Sequence, residues 1–294
     1  MRDFLILGPL ENLNAAFLFI RISAAVAANL LLAYTAYRKG SVDGSGAAAG
    51  FGLGFAIYLG GGISAWFVLG LFFVSSSLLS RLGKVQKTLL EKIHDKGSIR
   101  DAWQAGANAA PAAACMLGFA ATGSPMFAAG FLGSMACAAS DTWASELGVL
   151  SGARPRSIIS WKPLQKGQSG AVSIPGTLAS AAGAGTIALG SVPLLYLLPG
   201  GFLWKAIALP AAVSGFAGSL IDSVLGATVQ ALYEDSHGNY TEKRYETLYS
   251  ENRGDIRIAT RLVKGYSWIT NDMVNIISNA ASSLLAITGY LILS

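Results

Sequence analysis

The sequence predicts an all-α polytopic integral membrane protein of about eight transmembrane helices, and three observations predict it. Of its 294 residues, 53% are hydrophobic and only 13% charged, where an ordinary soluble domain carries roughly 25% charged residues. Apolar stretches recur along the whole chain, each near the roughly 20 residues that a helix needs to span a bilayer with its backbone groups satisfied internally. Basic residues collect in alternate connections between those stretches. Together these exclude a disordered chain and argue against a soluble globular enzyme. The length suits one helical bundle, so residues 1–294 are expected to form a single transmembrane domain.

The expected helices lie near 13–37, 45–62, 63–82, 102–121, 125–150, 171–198, 203–232 and 268–293. The first reads as a retained helix, because Glu11 and Arg21 break the charge-then-apolar order of a signal peptide. The second is short and rich in glycine. Gly50, Gly52 and Gly54, Gly130 and Gly133, and Gly215 and Gly218 mark helices expected to pack closely, since small residues let backbones approach. Gly-Phe-x-Gly-Ser occurs at both 130–134 and 215–219, a hint of internal duplication.

Charge sets the orientation. The basic connections carry Arg38 and Lys39; Arg81, Lys84, Lys87, Lys92, Lys96 and Arg100; Arg154, Arg156, Lys162 and Lys166; and Lys243, Arg244, Arg253, Arg257, Arg261 and Lys264. That is 18 of 21 basic residues, so these loops are expected to face the cytoplasm, with both termini outward. The net charge of +5 thus reports topology rather than nucleic-acid binding. A prokaryotic plasma membrane is the expected location. Cys115 and Cys137 lie in apolar stretches without metal-ligand spacing, and His94 and His237 stand alone in polar loops.

Ionisable groups inside a membrane are costly and therefore functional candidates. Asp141 and Glu146 fall late in the fifth helix, Asp222 in the seventh and Asp272 early in the eighth. The predicted topology brings all four to the cytoplasmic face, with Asp43 and Arg100. Asn271, Asn275 and Asn279 form a stripe at i, i+4, i+8 beside Asp272. Clustered carboxylates need a cation, and such an oxygen-rich set suits Mg²⁺. The segment Lys166-Gly-Gln-Ser-Gly-Ala-Val-Ser-Ile-Pro-Gly-Thr177 is Gly/Ser-rich and opens a helix. Such a turn offers backbone N–H groups and a positive dipole end to phosphate. The 230–265 stretch interleaves tyrosines with charges, and suits either capping a nucleotide or lying on anionic headgroups.

These residues resemble a known family. Ser-Gly-Ala at 45–47, Ser-Asp-Thr-Trp-Ala-Ser-Glu-Leu-Gly at 140–148 and Ser-Gly-Ala-Val-Ser-Ile-Pro-Gly-Thr-Leu-Ala-Ser at 169–180 carry the likeness. So do the block from Gly218 to Gln230 and Thr-Asn-Asp-Met-Val-Asn at 270–275. In these the chain resembles the transmembrane protein 19 family, which includes the phytyl-phosphate kinase of plant vitamin E synthesis. The family loop usually reads Gly-Thr-x-Gly-Gly-Val-Ser; here Gln168 and Ala171 depart from it. Arg100 to Asn108 matches the family's Arg-x-x-x-Gln-x-x-Ala-Asn loosely.

The resemblance implies phosphoryl transfer from a nucleoside triphosphate, with CTP the suspected donor, to a prenyl monophosphate in the bilayer. Asp141, Glu146, Asp222 and Asp272 would then hold Mg²⁺ and the triphosphate, and Arg100, Arg156, Lys162 and Lys166 would neutralise charge. Ser169, Gly170, Ser173, Gly176 and Thr177 would cradle phosphate, with Ser140, Thr142, Asn271 and Asn275 nearby. Two other readings stay open on the residues alone. One is a secondary transporter with intramembrane carboxylates; the other is a CTP-dependent nucleotidyltransferase making a CDP-linked lipid.

Overall fold

In a bundle with little polar surface, each backbone break must be satisfied locally, so helix ends decide the architecture. The computed structural model describes residues 15–82, 99–195, 204–248 and 256–294. Lys84, Lys87, Lys92, Lys96, His94 and Arg253 lie outside the described residues. Within them run α1 (Ala15–Arg38), α2 (Gly44–Arg81), α3 (Ala102–Thr122), α4 (Pro125–Leu150), α5 (Ile174–Leu195), α6 (Trp204–Thr228) and α7 (Asn271–Leu293). α1, α2, α7 and Lys205–Thr228 of α6 are long and apolar enough to cross a membrane.

α2 has 38 residues, and a straight helix of that length would extend about 57 Å. It does not run straight. Gly62 leaves helical geometry at φ 62°, ψ −157°, a conformation suited to a residue without Cβ. The chain doubles back there, because the Arg81 guanidinium donates to Ser41 Oγ at 3.2 Å and to the Lys39 carbonyl at 3.3 Å. α2 is thus a hairpin of two antiparallel helices, as expected from the division at 62 and 63. At its tip, Arg21 of α1 donates to the Gly60 carbonyl at 3.0 Å.

The other ends follow local chemistry. Asp43 caps α2 by accepting the Gly46 N–H at 2.7 Å. Asp101 and Gln104 form a reciprocal capping box on α3. Gly123, left-handed at φ 66°, ends α3 and turns the chain into α4, which Pro125 opens. Thr270 caps α7.

α4 is the central helix. Its residues from Ala128 to Ser140 are all buried, and it packs against α3, α5, α6 and α7. Close approach explains the glycines. A Cβ at Gly215 would come 2.4 Å from the Ala136 Cβ, one at Gly218 2.5 Å from Cys137 Sγ, and one at Gly133 2.6 Å from the Ala286 Cβ. Gly54 packs on Asn29, whereas Gly50 and Gly52 meet nothing within 4 Å, so close packing does not explain those two. Leu30, Leu31, Leu189, Leu209 and Ile292 point outward, as a lipid-facing surface requires.

The expectation of a purely α-helical chain is corrected by short strands at the basic-loop end. β1 (Arg156–Ser157) pairs antiparallel with β2 (Ala171–Val172). β3 (Leu232–Glu234) pairs with β4 (Tyr240–Thr241) and β7 (Arg261–Lys264), and β5 (Tyr245–Leu248) with β6 (Ile256–Ala259). Three expected helix ends shift accordingly. α5 starts at 174 rather than 171 because Ala171 and Val172 are in β2. α6 stops at 228 because the Ala231 N–H turns to the Ile269 carbonyl at 2.9 Å. α7 starts at 271 because Thr270 is its cap.

Gly62→Val forces a β-branched residue into a positive-φ hairpin tip. A loss of about 1–3 kcal/mol is expected, the usual cost of such backbone strain. A lowered unfolding midpoint in detergent, with Gly50→Ala as the neutral control, checks it.

Candidate functional site

The contact between α4 and α6 fixes the site. Both helices run toward the basic-loop end, and Gly218 of α6 sits on Cys137 of α4. Asp141 follows Cys137 by one helical turn, and Asp222 follows Gly218 by one turn. The two carboxylates therefore emerge at the same level of the bundle. Asp222 accepts a hydrogen bond from Ser278 Oγ of α7 at 3.0 Å and lies within electrostatic reach of Asp141 and Glu242. Asp141 accepts no hydrogen bond from any described residue. Two half-buried carboxylates, one bare of donors, face a cavity of about 370 Å³ between α4, α5, α6 and the connection before α5.

Arg100 lines the same cavity. It is locked by its backbone, donating to the Ser41 carbonyl at 3.2 Å and accepting the Asp43 N–H at 3.0 Å. Its guanidinium carbon lies 5.9 Å from the ring centres of both Phe72 and Phe73. Burial pushes its pKa down, and the charge of Glu146 opposes that. Glu146 accepts a hydrogen bond from Ser80 Oγ. Asp141 and Glu146, five residues apart, thus both line the cavity while making different contacts.

The connection before α5 closes the cavity, with its donors partly spent. Ser173 caps α5: its Oγ accepts the Gly176 N–H at 3.2 Å and its carbonyl accepts the Thr177 N–H at 2.8 Å. Pro175 has no N–H, and Ala171 donates to the Gln168 carbonyl at 3.0 Å. Of the residues expected to cradle phosphate, Gly176 and Thr177 thus have their backbone N–H groups spent on Ser173. Thr177 brings a side-chain hydroxyl to the same wall. Gly170, at φ 81°, lets the turn lie on α6, where a Cβ would come 2.5 Å from Ala227. Lys166 lines the cavity, but its Nζ donates to the Ser151 carbonyl at 2.5 Å and the Val149 carbonyl at 3.3 Å. It caps the negative end of α4.

The other expected residues divide. Thr142, Ser169 and Asn271 line the cavity. Ser140 is buried and tied to Ser180 Oγ at 2.6 Å, where it joins α4 to α5. Asn275 is buried and lines neither cavity. Arg156 donates to the Trp161 carbonyl at 2.9 Å, and both Arg156 and Lys162 are exposed outside the cavity. Asp272 lines a second cavity of about 190 Å³ instead. The four carboxylates thus do not form one cluster. Among the described residues, no three His, Cys, Asp or Glu side chains group closely enough to hold a metal ion between them.

Sequence reading missed Glu242. It accepts Ser169 Oγ at 2.6 Å and Gln230 Nε2 at 2.8 Å, so it ties the connection before α5 to the strands after α6. Lys264 sits nearby and donates to the Gly226 carbonyl at 2.6 Å, its pKa lowered by burial against the pull of Glu242. In the run Thr241-Glu-Lys-Arg244 this carboxylate reads as surface charge. Only the folded strands reveal it.

A mostly helical bundle with an outward apolar surface and a carboxylate-lined cavity defines an integral membrane protein. The chain belongs to the integral membrane protein DUF92 family, whose profile matches residues 27–283. This agrees with the resemblance carried by the blocks between 45 and 275. It is 37% identical over 238 residues to Protein PGR of Arabidopsis thaliana, covering 71% of this chain and 79% of that protein. An uncharacterised membrane protein of Methanocaldococcus jannaschii is 32% identical over 208 residues, covering 71% of this chain and 83% of that one. An uncharacterised membrane protein of Synechocystis is 33% identical over 168 residues, with 55% and 62% covered. No solved structure matches the chain.

Glu242→Ala leaves Ser169 and Gln230 without their shared acceptor. A loss of about 1–3 kcal/mol is expected, the cost of stranding partly buried donors. Faster amide exchange at 230–242 and an earlier unfolding midpoint check it.

Proposed function

We propose that the chain is a membrane-embedded polyprenyl-phosphate kinase, moving a phosphoryl group from a nucleoside triphosphate, with CTP the suspected donor, to a prenyl monophosphate. One observation carries the reading: a bare carboxylate, Asp141, beside Asp222 in a cavity that an aromatic-flanked arginine also lines. Such a cavity holds a polyanion together with its counter-cation. In this reading α1, the two arms of α2 and α3 to α7 make eight spans. The basic loops lie in the cytoplasm, and the outer ends of α1 and α7 face away from it, in a prokaryotic plasma membrane.

Asp141 and Asp222 would hold Mg²⁺, which takes one or two carboxylates plus phosphate oxygens and water rather than an all-protein cage. The donor set fits: two carboxylates at one level, with Thr142 and Ser223 beside them. When bound, the ion neutralises charge on the triphosphate. Arg100 would supply fixed positive charge in the same cavity, with Glu146 holding its position. Thr177 donates its hydroxyl to a phosphate oxygen. An oxygen of the prenyl phosphate attacks the γ-phosphorus, and the bond to the β-phosphate bridging oxygen breaks, releasing the nucleoside diphosphate. Such a nucleophile is already anionic, so no general base is required and catalysis is positioning plus electrostatics. Beside Thr177, Ile174 and Leu178 are 79% and 67% exposed. They offer the prenyl tail an apolar path from the bilayer to the cavity.

Protein purified in detergent, given Mg²⁺, nucleoside triphosphates labelled with ³²P at either the γ- or the α-phosphate, and phytyl or geranylgeranyl monophosphate, should form lipid diphosphate labelled from the γ-phosphate. Label entering the lipid only from the α-phosphate would assign nucleotidyl transfer instead. No labelled lipid with any nucleotide, from folded protein, sinks both and favours a transporter. Asp141→Asn should cut transfer by about 10²–10³-fold, the scale for removing a group that stabilises transition-state charge. Its unfolding midpoint should hold or rise, because the repulsion from Asp222 is relieved. Full activity in that variant would remove Asp141 from the site.

A further inference from the structure

The second cavity has a different chemistry from the first. The two share Gln104, Gln230, Glu242 and Asn271 in their walls, so they adjoin. The main cavity presents carboxylates and Arg100. The smaller one adds Tyr233, Asp272 and Arg244, whose guanidinium donates to the Ser267 carbonyl, and its polar groups are mixed donors and acceptors. Tyr233 is 5% exposed, and its buried hydroxyl has no hydrogen-bond partner among the described residues. Gln230 is 2% exposed; its Nε2 is spent on Glu242, and its Oε1 accepts from none of the described residues. Gln104 is the complement, since its Oε1 accepts the Asp101 N–H at 3.1 Å and its Nε2 donates to none of the described residues.

Buried polar groups are normally paired, and a buried hydroxyl left unpaired is destabilising. A donor amide, an acceptor amide and a phenol converge on a cavity joined to a polyanion site. That set matches the edge of a nucleobase, which presents both donors and acceptors. It does not match phosphate, which presents acceptors only, nor a prenyl chain, which presents neither. Asp272 adds a carboxylate that suits ribose hydroxyls and repels phosphate.

We infer that the second cavity is the nucleoside subsite of the phosphoryl donor, in which Gln104, Gln230 and Tyr233 read the base and Asp272 accepts from the ribose. The inference rests on the kinase reading and refines it. The triphosphate runs from the shared wall toward Asp141 and Asp222, and Asp272 serves the sugar rather than the metal. Asn271, at the start of α7 and in both walls, marks the junction.

The test is calorimetric titration of the full chain in detergent with Mg²⁺, using each ribonucleoside triphosphate and inorganic tripolyphosphate. The preferred nucleotide should bind at least about tenfold more tightly than tripolyphosphate. Tyr233→Phe and Asp272→Asn should each weaken nucleotide binding about tenfold, the loss of one or two hydrogen bonds. Both should leave tripolyphosphate binding unchanged. Tyr233→Phe removes only an unpaired hydroxyl, so its unfolding midpoint should hold or rise. A photoreactive azido-nucleotide should label peptides from 230–244 or 267–272. Nucleotide binding that is unchanged in both variants, tripolyphosphate that binds as tightly as nucleotide, or label placed elsewhere overturns the subsite and leaves the kinase standing. Folded wild-type protein that binds no nucleoside triphosphate overturns both.

Discussion

The close contact of α4 with α6 governs the rest of the molecule. Gly215 on Ala136 and Gly218 on Cys137 bring two helix backbones together where any side chain would collide. In a bilayer, association draws on such packing because lipid tails are as apolar as leucine. Both helices keep register one turn further, where packing gives way to a cavity and each presents an aspartate. The same small-residue seam that stabilises the bundle thus sets the separation of its two most costly side chains.

Around that seam the molecule is graded from dry to polar. Deep in the bundle, Ser282 Oγ bonds the Gly133 carbonyl at 2.8 Å and Asn279 Nδ2 bonds the Ala107 carbonyl at 2.9 Å. These ties join α7 to α4 and α3. One turn outward, Ser278 holds Asp222. At the rim, short strands and capped helix ends join side-chain ties such as those of Glu242 to Ser169 and Gln230 as the organising contacts. Rigidity below and mixed polar chemistry above is the arrangement expected of a site whose members must keep their spacing.

Much of this was legible in the sequence, and the reasons are physical. Helical spans carry a strong signal because every backbone group in lipid must be bonded within its own segment. The division of α2 at 62 and 63 was visible as a glycine run and a basic loop at each end. Asp141 and Asp222 stood out because isolated charges in apolar stretches are costly, and Arg100 because the predicted topology brought its loop to the same end. Partnership was not visible. Whether Lys166 faces phosphate or caps α4, and whether Arg156 faces a ligand or the Trp161 carbonyl, depends on where a flexible connection folds back. Asp272 obeyed the topological argument, which fixes depth, but missed the cluster, which needs azimuth. Glu242 was hidden because a carboxylate within a charged run has no signature of its own until strands carry it inward.

The hairpin tip also bears on how α1 joins the bundle. A helix that breaks at Gly62 leaves carbonyls on its last turn without their usual donors, and Gly60 is answered by Arg21 of the preceding span. Arg21 in turn keeps Nε buried without a partner, so the guanidinium is only partly satisfied even when docked. α1 therefore carries a cation whose acceptor lies 39 residues further along the chain. Docking α1 on the tip of α2 is what joins the two groups, and Trp66 Nε1, donating to Asn29 Oδ1 at 3.2 Å, ties the same two helices a second time.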